Sequence, residues 1–106
     1  MEMFDNLTLE LRRGAIVLAV LSQLHEEQYG YSLMKRLEER GFPVDQGTLY
    51  PLLRRLEENG LLDSEWNVEG SRPRRYYQLN QTGKDLLDAL QGEWNALNGV
   101  MEKLLS

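Results

Sequence analysis

Apolar side chains recur at helical spacing through the first half of the chain. Residues 15–21 are apolar without interruption, and a run that is apolar nearly all round is typical of a buried helix. We therefore predict a first helix from about Thr8 to His25, preceded by a loose arm over residues 1–7. A second helix is predicted over about residues 30–40, because Gly41 follows it and glycine commonly ends a helix.

A third helix is predicted from about Gln46 to Asn59. Its apolar residues follow the i, i+3, i+4, i+7 spacing of an inward-facing stripe and are Leu49, Leu52, Leu53 and Leu56. Two residues are candidate N-caps. If Thr48 is the cap, Pro51 lies in the first turn and costs no hydrogen bond, whereas if Asp45 is the cap, the helix is expected to bend at Pro51. Both alternatives stay open at this stage.

From Leu62 the apolar spacing changes to two, which is typical of a half-buried strand, here over residues 62–69. Residues 70–73, Gly-Ser-Arg-Pro, predict a turn. A second strand is predicted over residues 74–79, with Tyr77 and Leu79 on one face. The two strands therefore form a predicted β-hairpin, in which Tyr76 and Tyr77 are expected to pack within the hairpin.

A last helix is predicted to reach about Leu104, with Asn80 or Thr82 as its N-cap. Its apolar positions have the alternating spacing of three and four that marks a heptad seam; they are Leu87, Leu90, Trp94, Leu97, Met101 and Leu104. Such a narrow seam needs a partner helix. Since the chain has no other free helix by this prediction, we expect the same helix of a second copy, and hence a homodimer.

The predicted order of elements is three helices, a β-hairpin and a projecting helix. A helix pair joined by a tight connection and followed by a hairpin is typical of a winged helix-turn-helix fold, which is mainly α with a small β-hairpin. We accordingly predict a winged-helix DNA-binding domain over residues 1–79 and a C-terminal dimerisation helix over residues 80–106.

Composition excludes several classes of protein. The 106 residues include no cysteine and one histidine, His25, so disulfides are excluded, and neither a metal site nor a cofactor site is predicted. The sequence has no nucleophile-elbow, phosphate-loop or zinc-protease motif, and we predict that it is not an enzyme. Its longest uncharged apolar run is far below the roughly 20 residues that span a bilayer, and its first residues lack the order of a signal peptide. We expect a cytoplasmic protein without a membrane partner.

The negative net charge argues against DNA binding, but the distribution of charged residues along the chain favours it. The formal net charge is −5, yet residues 70–84 contain Arg72, Arg74, Arg75 and Lys84 and no acidic residue. Arginines at a hairpin tip suit DNA, because a guanidinium can enter a narrow minor groove or bind phosphate oxygens. The alternative is a solvated surface in which these arginines pair with Glu65 and Glu69 across the hairpin.

Trp94 allows two interpretations. The simpler one is that its ring fills a position in the dimer seam. The other is that a large flat ring at a two-fold interface leaves a gap into which an aromatic ligand stacks, beside Leu97. The two interpretations are compatible.

Three segments resemble the PadR-like family of transcriptional regulators. They are Gly47-Thr48-Leu49-Tyr50-Pro51-Leu52-Leu53-Arg54-Arg55-Leu56-Glu57 followed by Asn59-Gly60-Leu61, then Tyr29-Gly30-Tyr31, and then Arg75-Tyr76-Tyr77-Gln78-Leu79 leading to Gly83. The resemblance covers about residues 12–90, and the single C-terminal helix is similar to the small subclass of the family. The sequence departs from the family in having Asn80 where threonine is usual and Gln46 where a smaller residue is common.

The resemblance implies a homodimeric repressor whose third helix enters the major groove and whose wing meets the backbone or the minor groove. It also implies a response to small aromatic or hydrophobic compounds. Thr48 and Tyr50 match the start of the recognition helix, Arg74 and Arg75 match the basic wing strand, and Tyr31 matches a tyrosine of helix two. Together with the charges above, the predicted DNA-binding residues are Tyr31, Lys35, Gln46, Thr48, Tyr50, Arg54, Arg72, Arg74 and Arg75.

The function predicted from these observations is a ligand-responsive repressor that binds an inverted-repeat site in double-stranded DNA. The alternative, which the net negative charge favours, is a dimeric protein-interaction module that keeps the winged fold without binding DNA.

Overall fold

The computed structural model describes residues 1–70 and 72–106. Within this part of the chain, five helices and a small antiparallel sheet confirm the mainly α winged-helix fold. The elements are α1 (Glu2–Arg13), α2 (Ile16–Ser22), β1 (Gln28–Tyr29), α3 (Gly30–Glu39), α4 (Gln46–Glu58), β2 (Leu62–Asn67), β3 (Arg74–Leu79) and α5 (Gln81–Leu105). In the described part of the chain, no helix is long and apolar enough to cross a bilayer.

The core lies between α2, α3, α4 and one face of the sheet, and leucine dominates it. Leu21, Leu24, Leu33 and Leu49 are fully buried. The predicted stripe of α4 is confirmed, because all four of its leucines are buried. This packing fixes α4 against the hairpin, and the candidate site lies where the two meet.

The N-terminal region corrects the prediction of a loose arm and one long helix. Residues 2–13 form α1, and a turn at Gly14 separates it from α2. Glutamate and aspartate in the first turn and two arginines in the last turn suit the helix dipole, and Gly14 is a weak helix former at the junction. None of residues 2–13 is buried. The contacts of α1 include a hydrogen bond from Arg12 to the Gly41 carbonyl, at 3.3 Å.

The structure also decides which residue caps α4. Asp45 is the N-cap, and its Oδ1 accepts a hydrogen bond from the backbone N–H of Thr48 at 2.7 Å. Pro51 therefore lies inside the helix, where it cannot donate to the carbonyl of Gly47. Both residues are exposed, so water can reach that carbonyl.

The sheet contains one strand more than the predicted hairpin. Its order is β1-β3-β2, and both pairings are antiparallel. The two residues of β1 pair with Tyr77 and Tyr76 of β3, which ties the start of α3 to the wing. The first predicted strand is shorter than expected: β2 ends at Asn67, and Trp66 is 62% exposed, so the strand is half-buried only near Leu62. The second predicted strand is confirmed, with Tyr77 and Leu79 buried. Ser71 of the predicted turn lies outside the described residues.

The last helix begins in the core and then leaves it. Asn80 is its N-cap, and the side-chain oxygen accepts a hydrogen bond from the backbone N–H of Gly83 at 2.9 Å. Leu87 is only 5% exposed and belongs to the core of its own chain, against which Leu90 is partly buried. This corrects the predicted seam at Leu87, which serves the chain's own fold. All residues from 91 onward are exposed.

Candidate nucleic-acid interface

A cleft of about 720 Å³ separates the hairpin from the starts of α3 and α4. It is lined by Tyr29, Gly30, Tyr31, Gln46, Tyr50, Leu53, Arg54, Trp66, Arg72, Pro73, Arg74, Arg75 and Tyr77. Seven of the nine residues predicted to contact DNA line this cleft; Lys35 and Thr48 do not. Four arginines and no acidic residue occur among the described residues that line it, so the cleft carries positive potential in a chain of net negative charge.

The two predicted residues outside the cleft lie on the same helices. Lys35 is exposed on α3, and its Nζ lies 5.8 Å from the centre of the Tyr31 ring. Thr48 is exposed in the first turn of α4. Backbone N–H groups and short polar side chains at a helix start are well placed to meet phosphates.

Tyr50 is held in place by a glycine. A Cβ atom at Gly30 would overlap the Tyr50 ring, so glycine at this position lets the ring lie directly against the first turn of α3. Tyr50 is partly buried as a result. The contact joins the two helices at the floor of the cleft, a role that the spacing of apolar residues did not indicate.

Arg74 lies over an aromatic pair at the base of the wing. Its guanidinium carbon is 4.5 Å from the centre of the Tyr29 ring, which meets the Tyr76 ring edge-on at 5.4 Å. A guanidinium stacked on a ring keeps its N–H donors free in the plane. Arg74 and its neighbour Arg72 are both exposed, and both are therefore available to an anion.

Arg75 differs from them, because two of its five N–H donors are already used within the chain. Its Nη2 donates to Oε1 of Glu57 at 2.6 Å, and its Nε donates to the Ser64 hydroxyl at 3.0 Å. The Ser64 hydroxyl in turn donates to Oε2 of Glu57. In the described part of the chain, Arg75–Glu57 is the one ion pair found, so the predicted alternative of pairing with Glu65 and Glu69 is not observed. Sequence reasoning missed Glu57 and Ser64, since no local spacing links them to Arg75.

Tyr77 lies beneath Arg75 at the back of the cleft. Burial raises the pKa of its phenol above the ordinary value of 10.0, and the positive charge of Arg75 opposes this change. The guanidinium carbon of Arg75 is 5.6 Å from the Tyr77 ring. The phenol is therefore a neutral part of the wall at physiological pH.

The residues predicted to bind an effector lie elsewhere. Trp94 and Leu97 belong to the exposed half of α5, with 42% and 47% of their surface accessible, and they take no part in the cleft. Met101 and Leu104 continue the same exposed row at 44% and 69%.

Comparisons with known proteins agree with this geometry. Residues 17–89 match the model of the transcriptional regulator PadR-like family. The crystal structure of a PadR family transcriptional regulator from Eggerthella lenta is 47% identical, with a TM-score of 0.95, and the match covers 99% of this chain and 94% of that one. A PadR-like transcriptional regulator from Bacillus cereus is 27% identical with a TM-score of 0.80, covering 92% and 97% of the two chains.

A curated relative agrees as well. The transcriptional regulator Rv3488 of Mycobacterium tuberculosis is 40% identical over 79 residues, which are 74% of each chain. The winged fold, the basic cleft and these matches lead to one conclusion: the chain belongs to the PadR-like family of transcriptional regulators and is not an enzyme.

Proposed function

We propose that this regulator acts as a homodimer that binds an inverted-repeat operator and represses transcription until a small aromatic or hydrophobic effector releases it. The observation that carries the DNA part is the cleft, in which the exposed Arg72 and Arg74 of the wing face the Tyr50 and Arg54 side of α4. In this proposal α4 reads base edges in the major groove, while the wing arginines bind phosphates or enter the minor groove. A chromosomal operator would place its action in the cytoplasm.

Two exposed apolar rows support the dimer. On α5 the row runs from Trp94 to Leu105, and on α1 it includes Phe4 at 61% and Leu7 at 55% exposure. Contiguous apolar surface of this kind on a small domain marks an association site. Two-fold pairing through these rows would present two copies of α4 to successive turns of a duplex, as an inverted repeat requires.

The effector proposal rests on Trp94 and Leu97. A flat ring at the centre of a two-fold interface offers a stacking surface for a planar ligand. Such a ligand regulates the protein only if it binds the DNA-competent and DNA-incompetent dimers with different affinities.

The DNA proposal is tested by operator affinity as a function of salt, using the DNA upstream of the protein's own gene. Arg74→Met is expected to reduce the slope of log affinity against log salt by about one, because one phosphate contact is lost. Arg40→Met is the matched control, since Arg40 follows the far end of α3, roughly 15 Å along the helix from the cleft. If the two variants have the same slope as the parent, or no duplex binds at all, the wing assignment is wrong and an interaction module without DNA binding becomes the better account.

The dimer and effector proposals share a second experiment. A Trp66→Phe background leaves Trp94 as the single tryptophan, so its fluorescence reports on the proposed interface alone. Titration with planar aromatic compounds should quench this fluorescence and lower operator affinity over the same concentration range. Quenching without a change in operator affinity would contradict the coupling.

Sedimentation should give a dimer for the parent and a monomer for Leu97→Asp; a monomeric parent at micromolar concentration would contradict the dimer.

A further inference from the structure

We propose that Arg75 is a positioning residue that does not bind DNA, and that together with Glu57 and Ser64 it forms a clamp fixing the angle between the wing and the recognition helix. This inference rests on the proposed DNA-binding function and divides the wing arginines into two roles. Arg72 and Arg74 bind the nucleic acid, and Arg75 holds the strand that carries them.

The hydrogen-bond geometry commits part of the Arg75 guanidinium to its own chain. Two of its nitrogens are used, one by Glu57 and one by Ser64, and both oxygens of the Glu57 carboxylate are used as well. The Arg75 and Glu57 side chains are 35% and 26% exposed. A phosphate that bound through these same nitrogens would have to displace a charge-assisted hydrogen bond in a partly desolvated site.

The clamp joins three elements through side-chain hydrogen bonds, in addition to the backbone pairing of β2 with β3. Glu57 lies in the last turn of α4, Ser64 lies on β2, and Arg75 lies on β3. The pairing of β2 with β3 places Arg75 opposite Trp66, two residue pairs further along the hairpin than the Ser64–Tyr77 pair. The ring of Trp66 also lies 5.8 Å from the Arg75 guanidinium. In the proposed complex, α4 and the wing must fit the same duplex. A small rotation of the wing at this point therefore displaces Arg72 and Arg74 from their phosphates.

Removing the charge of Glu57 separates this role from an ordinary electrostatic one. An acidic side chain near a polyanion repels it, so Glu57→Gln should raise DNA affinity if electrostatics alone acts. The clamp predicts the reverse, because the amide has one acceptor oxygen in place of two and carries no charge to pair with the guanidinium.

The experiment compares Glu57→Gln, Arg75→Met, their double variant and Arg74→Met in operator binding over a range of salt. Glu57→Gln and Arg75→Met are each expected to weaken binding about five- to tenfold at every salt concentration, with an unchanged salt slope. The double variant should be no weaker than the worse single variant, since either change already breaks the clamp. Arg75→Lys should fail to restore affinity, because an ammonium lacks the planar fork.

Glu58→Gln is the matched control, since Glu58 is the exposed neighbour of Glu57 on α4 and the change removes the same charge. It should leave affinity unchanged or raise it slightly. The clamp is overturned if Glu57→Gln behaves like Glu58→Gln, or if Arg75→Met lowers the salt slope as Arg74→Met does.

A measurement without DNA keeps the clamp testable should the proposed function fail. Denaturant midpoints of the parent, Glu57→Gln, Arg75→Met and their double variant form a double-mutant cycle for positions 57 and 75. The clamp predicts that the midpoint of the double variant shifts by clearly less than the sum of the two single shifts. Additive shifts would overturn it even if no operator is found, whereas lack of DNA binding with a coupled cycle would count against the proposed function alone.

Discussion

The cleft of this regulator differs from helices α1 and α5 in whether its side chains find their partners within one chain. In the cleft, several functional side chains have a partner within the chain: Tyr50 lies on Gly30, Arg74 lies on Tyr29, and Arg75 is bound to Glu57. In α1 and the second half of α5, large apolar side chains are exposed. The polar surface is thus prepared before any ligand arrives, whereas the apolar surface needs an associating molecule to be buried.

The change between the two regions occurs within one helix. Leu87 is 5% exposed and Leu104 is 69% exposed, although both belong to the same heptad pattern. A repeating sequence pattern therefore identifies an apolar face without showing which part of the face packs on the same chain. Stability experiments can separate the two parts, because contacts within a chain do not depend on protein concentration.

The largest effect is expected from Leu87→Ala. It removes a buried side chain and should lower the free energy of unfolding by about 2–5 kcal/mol at all protein concentrations. Leu97→Ala, the matched change in the exposed half, should cost stability only where the protein is associated. Urea denaturation at two concentrations about a hundredfold apart distinguishes these outcomes. Equal, concentration-independent losses would show that the contrast along α5 is wrong.

Two glycines of the same helix give the next largest contrast. A Cβ atom at Gly83 would overlap the backbone carbonyl of Leu61, whereas a Cβ atom at Gly92 meets no atom within 4 Å. Gly83→Ala should therefore destabilise the fold by about 1–3 kcal/mol, and Gly92→Ala should stabilise it by up to about 1 kcal/mol. Thermal unfolding of both variants measures this. A loss of stability in Gly92→Ala would indicate that the second copy packs closely at this position.

Much of the fold and most of the cleft could be predicted from the sequence, because the relevant signals are local. The leucine stripe of α4 and the arginines near the hairpin tip are visible as spacing and composition. Two features of the fold left no such signal. A strand of two residues, β1, is too short to show a period, and the start of α1 lacks a side chain that makes a cap hydrogen bond.

Contacts between residues far apart in sequence could not be predicted in this way. The prediction that Arg75 binds DNA rests on its being a basic residue in a basic wing, and this pattern does not indicate its partner Glu57, which is 18 positions away on another element. Likewise, Leu87 matches the seam by spacing, and only the position of α5 against the core reveals its burial. Residue type and spacing indicate what a side chain can do, but long-range packing decides which partner it has.

The helix caps provide a third and smaller comparison between the regions. Asp45, beside the cleft, caps α4 with one hydrogen bond, whereas Asn80 caps α5 and also donates to the Gly60 carbonyl at 2.9 Å. Loss of a cap costs typically about 1 kcal/mol, so Asp45→Ala should cost about that and Asn80→Ala should cost more. Asn80→Thr should fall between them, because a hydroxyl keeps the cap and loses the amide donor's bond to Gly60. Denaturant unfolding gives the ranking, and equal losses for the two alanine variants would remove the distinction.

The smallest effect concerns the back wall of the cleft at alkaline pH. Burial raises the pKa of Tyr77 above 10.0, Arg75 lowers it, and smaller effects come from Glu57, which raises it, and Arg54, which lowers it. The folded chain thus holds the phenol proton more tightly than the unfolded chain. This contribution to stability is fully present below about pH 10 and is lost as the pH rises through the raised pKa of the folded state. The free energy of unfolding should therefore fall more steeply above about pH 10 in the parent than in Tyr77→Phe. Tyr31→Phe serves as the control, because Tyr31 is half exposed and its replacement leaves Tyr77 in place. If the free energy of unfolding falls equally at alkaline pH in the parent and in Tyr77→Phe, the cleft wall is as open to water as the exposed apolar rows of α1 and α5. The contrast between the two regions would then be weaker than the structure indicates.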